Sequence, residues 1–262
     1  MTPSLDLLGQ LLRLAEQTAK AAGELISNRP KKFELDQKSG VFDFATQMDL
    51  ASEALIIEKI SKARPNDGFL GEEGSSKEST SGFTWVIDPI DGTVNYLYGL
   101  PGWCVSIAVR DEKEFVAGVV YSPATNSLWK ASKGGGAFLN DEKISCNDPV
   151  ALNRALIGTG FAYDVARREE QARIVSNLLP KIRDLRRLGA CAVDISLVAS
   201  GALDGYFEAG VNEWDYAAAG LIAREAGALL TLREGVWGDK RLMVICSSPS
   251  LHSELLAALD PA

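Results

Sequence analysis

The sequence predicts an α/β protein of the α+β sandwich type, with a helix-and-sheet half followed by an alternating half. Three observations support this class. Two helix-like segments precede a series of short β-type runs, the pattern changes near residue 150 to alternating strands and helices, and no repeat or low-complexity linker separates the two parts. We therefore expect residues 1–147 and 148–262 to pack as one compact unit.

The first half begins with two predicted helices. Apolar residues recur at helical spacing over residues 4–28, and this pattern stops before the sequence Asn-Arg-Pro. Residues 31–45 are predicted to be extended and loop-like. The second helix runs from Thr46 to Ala63 and is ended by Pro65. Both helices are expected to pack against the sheet that follows.

Short β-type runs separated by turn residues follow the second helix. The runs are GFLGEE, TWVIDP, WCVSIAVR, FVAGVVYS and SLWKAS. They predict a largely antiparallel sheet. The later segment KGGGAFLN contains three consecutive glycines, but it lacks the strand-to-helix setting of a phosphate-binding loop, so a tight turn is favoured.

The second half alternates between strand-like and helix-like segments. Strands are predicted at ALIGTG, LDGYFE, ALLTL and LMVICSS, and helices at VARREEQARIVSNLL, AVDISLVASG, WDYAAAGLIAREAG and the C-terminal segment. The segment IRDLRRLG is predicted to be extended. This alternation is typical of an α/β layer.

Composition narrows the class of function. The formal net charge is −8, which argues against a general nucleic-acid binder because such proteins need a basic surface. The four cysteines form no C-x-x-C pair, so a zinc cage or redox dithiol is not predicted, and we expect small buried thiols. The N-terminus does not resemble a signal peptide, and no segment reaches the ~20 apolar residues of a membrane span. We expect a soluble cytoplasmic protein.

The chain contains a single histidine, His252. Histidine is the usual general base at neutral pH, so its scarcity weakens any Ser-His-Asp or Cys-His mechanism. We expect His252 to be a surface residue on the last helix.

The segment WVIDPIDGTVNY contains two aspartates, Asp88 and Asp91, separated by a proline. Pro89 favours extended geometry at Asp88, and Gly92 permits a sharp bend, so both carboxylates can face one cavity. A type I turn explains the same residues equally well. This segment alone does not distinguish a turn from a site.

Other acidic residues have ordinary structural explanations when each is taken alone. Glu72 and Glu73 end a strand and are typical of an exposed turn. Asp215 lies at the start of an apolar helix, where it is typical of a cap, and Asp49 is typical of a solvated helix face.

Together, these fragments resemble the inositol monophosphatase family. The acidic strand end of the family resembles GEE, and its two signatures resemble WVIDPIDGTVNY and WDYAAAGLIAREAG. Its mobile loop resembles KSGVFDFATQMD, and the stretch before its second signature resembles RLGACAVDISLVASGALDGYFE. The resemblance covers about residues 5–245. It implies a layered α/β/α/β/α fold with the active site between the halves, a homodimer and, as in many members, sensitivity to lithium.

The resemblance also implies the site residues. Its expected metal ligands are Glu72, Asp88, the Ile90 carbonyl, Asp91 and Asp215, holding two or three Mg²⁺ ions. Glu72 and Thr93 are expected to orient the attacking water, with Asp49 behind Thr93. The expected substrate contacts are Asp91, Gly92, Thr93, Cys191 and Glu208, and Lys38 matches the lysine of the mobile loop. Oxygen ligands suit a hard cation, and metal activation of water removes the need for a histidine base.

The implied activity is hydrolysis of a phosphate monoester, with myo-inositol 1-phosphate as the first candidate substrate. Ala190, Cys191 and Asn212 differ from residues common in the family beside the leaving group, so the substrate stays open. Histidinol phosphate, fructose 1,6-bisphosphate and 3′-phosphonucleotides are alternative substrates. A metal-independent glycosidase using paired carboxylates is a different class of enzyme, and partner binding is a non-enzymatic alternative. A small phosphorylated polyol is the expected partner, without nucleic acid or membrane.

Overall fold

The structure is a computed structural model that describes residues 3–40, 43–234 and 242–260. Within these ranges the α-helices are α1 (Leu5–Ser27), α2 (Gln47–Ala63), α3 (Thr93–Tyr98), α4 (Val165–Leu178), α5 (Cys191–Ala199), α6 (Glu213–Glu225) and α7 (Pro249–Ala258).

A large, mostly antiparallel sheet forms the centre of the first half. Its strands, as far as the chain is described, are β3 (Gly68–Gly71), β4 (Ser76–Lys77), β5 (Thr84–Asp91), β6 (Cys104–Arg110), β7 (Phe115–Ser122), β8 (Ser127–Ser132), β9 (Gly136–Leu139) and β10 (Glu142–Ile144). They lie in the order β10-β9-β8-β7-β6-β5-β3-β4. The β3–β5 pair is parallel, which brings the carboxyl ends of these two strands to the same edge of the sheet.

A smaller mixed sheet forms the second half. The strands described are β11 (Leu156–Thr159), β12 (Asp184–Arg186), β13 (Gly205–Val211), β14 (Leu229–Arg233) and β15 (Leu242–Ser247). Their order is β12-β11-β13-β15-β14. The pairs of β11 with β12 and β13 are parallel, whereas β15 pairs antiparallel with β13 and β14.

The helices and sheets stack in five layers. Helices α1 and α2 cover one face of the large sheet, α5 and α6 lie between the two sheets, and α7 packs on β15 of the small sheet. Separate apolar clusters fill the spaces between successive layers. The layered α/β/α/β/α fold expected from the sequence is confirmed, and it places the start of α6 beside the end of β5.

Two local expectations differ from the structure. The segment predicted to be loop-like contains a β-hairpin, β1 (Leu35–Gly40) and β2 (Asp43–Thr46), although residues 41–42 lie outside the described residues. The expectation that His252 is a surface residue is wrong, because its side chain is buried and its ring nitrogens contact the Thr231 and Ser247 hydroxyls, each at 2.8 Å. Helical spacing placed His252 on α7, but the packing of β14 and β15 buries it.

The glycine-rich segment is a tight turn, as predicted. Gly134 and Gly136 have positive φ angles of 72° and 80°. Their N–H groups donate to the two carboxylate oxygens of Glu225, at 2.8 and 2.9 Å. The turn is therefore attached to the end of α6 and is used for packing between the sheet and this helix.

The thiols are mostly buried, as expected. Cys104, Cys191 and Cys246 are buried, Cys146 is half-buried, and none forms a disulfide. Within the part of the chain that the structure describes, no helix is long and apolar enough to cross a membrane. The expected boundary near residue 147 lies between the last strand of the large sheet and the first strand of the small one, and it stays a prediction.

Candidate active site

A cavity of about 380 Å³ opens where the two halves meet. It is lined by ten of the predicted site residues, which are Lys38, Glu72, Asp88, Ile90, Asp91, Gly92, Thr93, Cys191, Glu208 and Asp215. The remaining predicted residue, Asp49, is fully buried behind Thr93. Residues far apart in the sequence are therefore brought to one place.

The bend at the end of β5 positions the first two carboxylates. The register of β5 against β6 is interrupted between Asp88 and Asp91, and the Ile90 N–H donates to the Asp88 carboxylate at 3.1 Å. Gly92 has a φ of 88°, and a Cβ added there would lie 2.6 Å from the Gly102 carbonyl oxygen. Glycine is thus required both for the backbone conformation and for the close approach. The bend itself places Asp88 and Asp91 at the cavity, so the segment is both a turn and part of the candidate site.

Two further carboxylates reach the cavity from other elements. Glu72 directly follows β3, and its N–H donates to the Ile87 carbonyl of β5 at 3.1 Å. Asp215 lies in the first turn of α6, where its carboxylate accepts the Asn212 N–H at 2.6 Å. The predicted helix cap at Asp215 is therefore present, and the same side chain also lines the cavity.

The carboxyl groups destabilise one another's charged forms. Burial raises the pKa of Asp88 well above its ordinary value, and the charges of Glu72, Asp91 and Asp215 raise it further. Burial likewise raises the pKa of Asp91 to about 7. The pKa of Asp215 is also well raised by burial and then by Glu72. Positive charge placed among these groups would relieve this repulsion.

Asp91 also connects the two halves of the protein. Its two oxygens accept the N–H groups of Cys191 and Ala192, at 3.2 and 2.6 Å. These are the first two residues of α5, whose N-cap residue, Ala190, supplies no capping side chain. Asp91 therefore accepts hydrogen bonds from the otherwise unpaired N–H groups at the start of a helix that belongs to the other half of the chain.

Asp49 is buried beside the β5 bend, where it contacts the partly buried Thr93. The Thr93 hydroxyl lies 3.2 Å from one Asp49 oxygen and 3.0 Å from the Ile90 carbonyl oxygen. The other Asp49 oxygen accepts from the Thr46 N–H and hydroxyl, at 2.8 and 2.6 Å. Asp49 is thus held at the N-terminus of α2. The interpretation that Asp49 lies on a solvated helix face is wrong, because this face of α2 packs against β5.

Lys38, on strand β1, contacts the two glutamates that follow β3. Its ammonium group lies 2.8 Å from a Glu72 oxygen and 2.7 Å from a Glu73 oxygen. Burial lowers the pKa of Lys38, but the two glutamates outweigh this and raise it. Burial raises the pKa of Glu73 to about 7, against the lowering by Lys38. The exposed turn considered for the two glutamates is replaced by a partly buried ion-pair cluster.

The opposite wall carries Glu208 on β13. Its carboxylate hydrogen-bonds to the Tyr206 hydroxyl and packs directly on Gly160, where an added Cβ would overlap it. Burial raises the pKa of Glu208, and the hydrogen bond to Tyr206 lowers it. Asn212 and Cys191, which differ from residues common in the family, also line the cavity.

Sequence reasoning missed two charged residues that line the cavity, Asp194 and Arg187. Asp194 is 1% exposed, and among the described residues neither of its oxygens has a hydrogen-bond partner of normal geometry. Burial raises its pKa well above the ordinary value, and Arg187 and the Gly189 N–H only partly offset this. The segment RLGACAVD contained the signal, since an aspartate three residues after Cys191 shares its helix face.

The aromatic edge of the cavity was also missed. Phe161 and Tyr163 lie in the segment after β11, and Trp214 lies at the start of α6. They add aromatic surface to a cavity that is otherwise lined largely by polar groups. Phe161 and Tyr163 are more than 50 residues away from Trp214 in the sequence, so only the tertiary structure brings these three rings to one cavity.

The donor set fits a hard divalent cation. All of the candidate ligands are oxygens, and burial with mutual repulsion raises the pKa values of Asp88 and Asp215, although Lys38 and Arg187 also line the cavity. Among the described residues, no three acidic, histidine or cysteine side chains lie close enough together to hold a metal ion by themselves. Mg²⁺ is usually held in open sites completed by water and by substrate phosphate, so this arrangement is compatible with it.

Comparison with known proteins decides the family. The model of the inositol monophosphatase family matches residues 7–261. The chain belongs to the inositol monophosphatase family. It is therefore a phosphoric monoester hydrolase, and members of this family depend on metal ions.

Individual relatives agree with this assignment. Inositol-1-monophosphatase from Mycobacterium bovis is 42% identical over 232 residues, which are 85% of this chain and 80% of the relative. Nus factor SuhB from Pasteurella multocida is 37% identical and covers 97% of both chains. The crystal structure of extragenic suppressor protein suhB from Bartonella henselae superposes with a TM-score of 0.89 at 31% identity, covering 97% of this chain and 99% of that one.

Proposed function

We propose that this family member hydrolyses a phosphate monoester of a polyol, with myo-inositol 1-phosphate as the first candidate substrate, using two or three Mg²⁺ ions. The observation that carries the proposal is the set of four carboxylates, from β5, α6 and the end of β3, that share one buried cavity. The raised pKa values of Asp88, Asp91 and Asp215, and the all-oxygen chemistry of the four side chains, are what a magnesium-dependent phosphatase needs.

The residues proposed to hold the cations are Glu72, Asp88, the Ile90 carbonyl, Asp91 and Asp215. When bound, divalent cations supply the positive charge that acidifies water and stabilises the departing alkoxide. Before they bind, Lys38 supplies part of that charge through its ion pairs with Glu72 and Glu73.

Thr93 and Glu72 are proposed to orient the attacking water. The Thr93 hydroxyl donates its proton toward Asp49 or the Ile90 carbonyl, so its lone pairs remain free to accept a hydrogen bond from water. A water that donates to Thr93 and Glu72 keeps a lone pair to attack phosphorus. Asp49 acts through Thr93, because it fixes the direction of the hydroxyl.

The phosphate and the leaving alcohol are proposed to bind on opposite sides of the bend. The N–H groups of Gly92 and Thr93 face phosphate oxygens at the start of α3. Asp91, Glu208 and Cys191 face the alcohol, where carboxylates accept hydrogen bonds from hydroxyl groups. The wall of acids favours a neutral polyol over a leaving group that carries further negative charge.

Further properties in this proposal rest on family resemblance. They are sensitivity to lithium and a homodimer, whereas the proposed cytoplasmic location rests on the sequence pattern of the N-terminus and the lack of a membrane-spanning segment in the sequence. The matched relatives carry both inositol-1-monophosphatase and Nus factor names, so names alone do not select the role. The net charge of −8 supports a small-molecule substrate over nucleic acid.

A phosphate-release panel tests the proposal. The purified chain is assayed with inositol 1-phosphate, histidinol phosphate, fructose 1,6-bisphosphate and a 3′-phosphonucleotide, with Mg²⁺ or with EDTA. We expect release that requires Mg²⁺ and is fastest with inositol 1-phosphate. Asp91→Asn should abolish release, whereas the exposed Glu58→Gln should not change it. Absence of Mg²⁺-dependent release from every substrate would refute the proposal, and a preference for another substrate would correct it.

A further inference from the structure

Helix α2 presents a buried polar face to the active site. Asp49, Ser52 and Glu53 are 0%, 0% and 2% exposed. Their spacing places them on one side of the helix, and this side packs against β5. Burial of three polar side chains on one face is costly unless each has a specific partner. Asp49 contacts Thr93, and the other two side chains have partners of their own.

Ser52 contacts the bend that carries Asp88 and Asp91. Its hydroxyl donates to the Pro89 carbonyl oxygen at 3.1 Å. Pro89 lies where the register of β5 against β6 is interrupted, so strand pairing does not fix the bend there. Ser52 therefore provides a fixed attachment for the bend.

Glu53 holds the turn that follows Glu72. One of its oxygens accepts the Glu73 N–H at 3.0 Å, and the other accepts the Ser75 N–H at 3.2 Å. The carboxylate packs against Gly71 so closely that an added Cβ would overlap it. Both oxygens are occupied by backbone donors, so the side chain fixes the path of the chain on both sides of Gly74.

We propose that Ser52 and Glu53 are positioning residues for the cation site. Ser52 fixes the segment of Asp88 and Asp91, and Glu53 fixes the segment of Glu72. Because both lie on one rigid helix that provides no ligand itself, they set the separation between two groups of ligands. This inference rests on the proposed magnesium-dependent activity.

The physical reason is the strict geometry of Mg²⁺. This ion demands nearly ideal octahedral coordination, so small displacements of its ligands weaken binding. Loss of a group that orients a metal ligand typically costs about 10–100-fold in metal affinity or activity. Glu53→Gln keeps the size of the side chain but replaces one acceptor oxygen by an N–H group that faces a backbone donor.

The test measures Mg²⁺ binding directly. Isothermal titration calorimetry is carried out on wild type, Glu53→Gln, Ser52→Ala and the control Glu58→Gln, which changes an exposed acid on the same helix. We expect the dissociation constant to rise about 10–100-fold for Glu53→Gln. It should rise less for Ser52→Ala, which loses one neutral hydrogen bond, and stay unchanged for Glu58→Gln.

Activity measured against Mg²⁺ concentration separates positioning from general damage. The rate deficit of Glu53→Gln should narrow as Mg²⁺ is raised, because mass action compensates for weaker binding. Unchanged Mg²⁺ affinity in both variants would overturn the inference, provided that wild type binds Mg²⁺ and releases phosphate. If Glu53→Gln does not fold, Ser52→Ala decides the matter. If wild type itself neither binds Mg²⁺ nor releases phosphate, the proposed function fails first.

Discussion

Removing one hydroxyl group tests the arrangement around the proposed water. Thr93→Val keeps the shape of the side chain but leaves an Asp49 oxygen without the donor that now lies 3.2 Å away. Asp49 is fully buried, so water cannot replace that donor. An unsatisfied buried acceptor costs about 1–3 kcal/mol. For a chain of this size, each kcal/mol corresponds to about 2–4 °C, so Tm should fall by roughly 2–12 °C.

The same change should reduce activity far more than stability. Misplacement of a reacting group by about 1 Å can cost about 10²-fold in rate, so kcat should fall by roughly 10²-fold when the water loses this contact. The measurements are calorimetric Tm and phosphate release at saturating Mg²⁺. Thr93→Ser is the matched control, because it keeps the hydroxyl and should retain most of the activity. If Thr93→Val were as active as Thr93→Ser, Thr93 would have no part in orienting water.

Two further predictions concern buried groups that titrate. Asp194→Asn, measured in EDTA, should raise Tm more at pH 8 than at pH 5. Folding raises the pKa of this carboxyl, so the carboxylate destabilises the folded state increasingly as pH rises above the pKa of the unfolded chain. A variant that is less stable at every pH would mean that the Asp194 carboxylate has a stabilising partner. Burial, with the charge of Arg233, lowers the pKa of His252 below 6.5. The folded state therefore favours the neutral imidazole. The stability that neutral His252 contributes should be complete above pH 6.5 and should decline as pH falls toward the folded pKa. Since the chain has one histidine, NMR titration of the imidazole measures this directly, and a value at or above 6.5 would contradict the burial argument.

Backbone hydrogen bonds hold the proposed ligands in place although burial and mutual repulsion disfavour their charged forms. Burial and mutual repulsion raise the pKa values of Asp88, Asp91 and Asp215. Each nevertheless has a backbone donor that holds its place. Asp88 accepts from Ile90, Asp91 from the start of α5, and Asp215 from Asn212. Hydrogen bonds thus fix the ligands, and cations would supply the missing charge.

Much of the fold was accessible from the sequence because local signals agreed. Apolar periodicity and Pro65 predicted α2, and short β-branched runs between turn residues predicted the large sheet. The glycine turn also followed from local chemistry. The hairpin at residues 35–46 was missed, since its polar strands lack the alternation that marks a half-buried strand.

The candidate site was accessible for a different reason. Its ligands lie in short motifs in which Pro89 and Gly92 specify the bend and the acids specify the chemistry. Resemblance grouped Glu72 and Asp215 with that bend, which periodicity could not do. Asp194 and Glu53 were missed because an acidic residue on a helix is usually solvated. The spacing of Asp194 from Cys191 was a usable signal, whereas the burial of Glu53 follows only from packing.

The sequence by itself determined most of the helices and strands, the bend at the end of β5 and the kinds of atom available for chemistry, because these depend on residues close together in the chain. Only the tertiary structure decided which polar groups are buried and what they contact. Asp91 reaches the start of α5 in the other half, Glu53 holds the turn after Glu72, and His252 contacts β14 and β15. These contacts join segments 20 to 101 residues apart, and such distances are set by how layers pack and not by local preference.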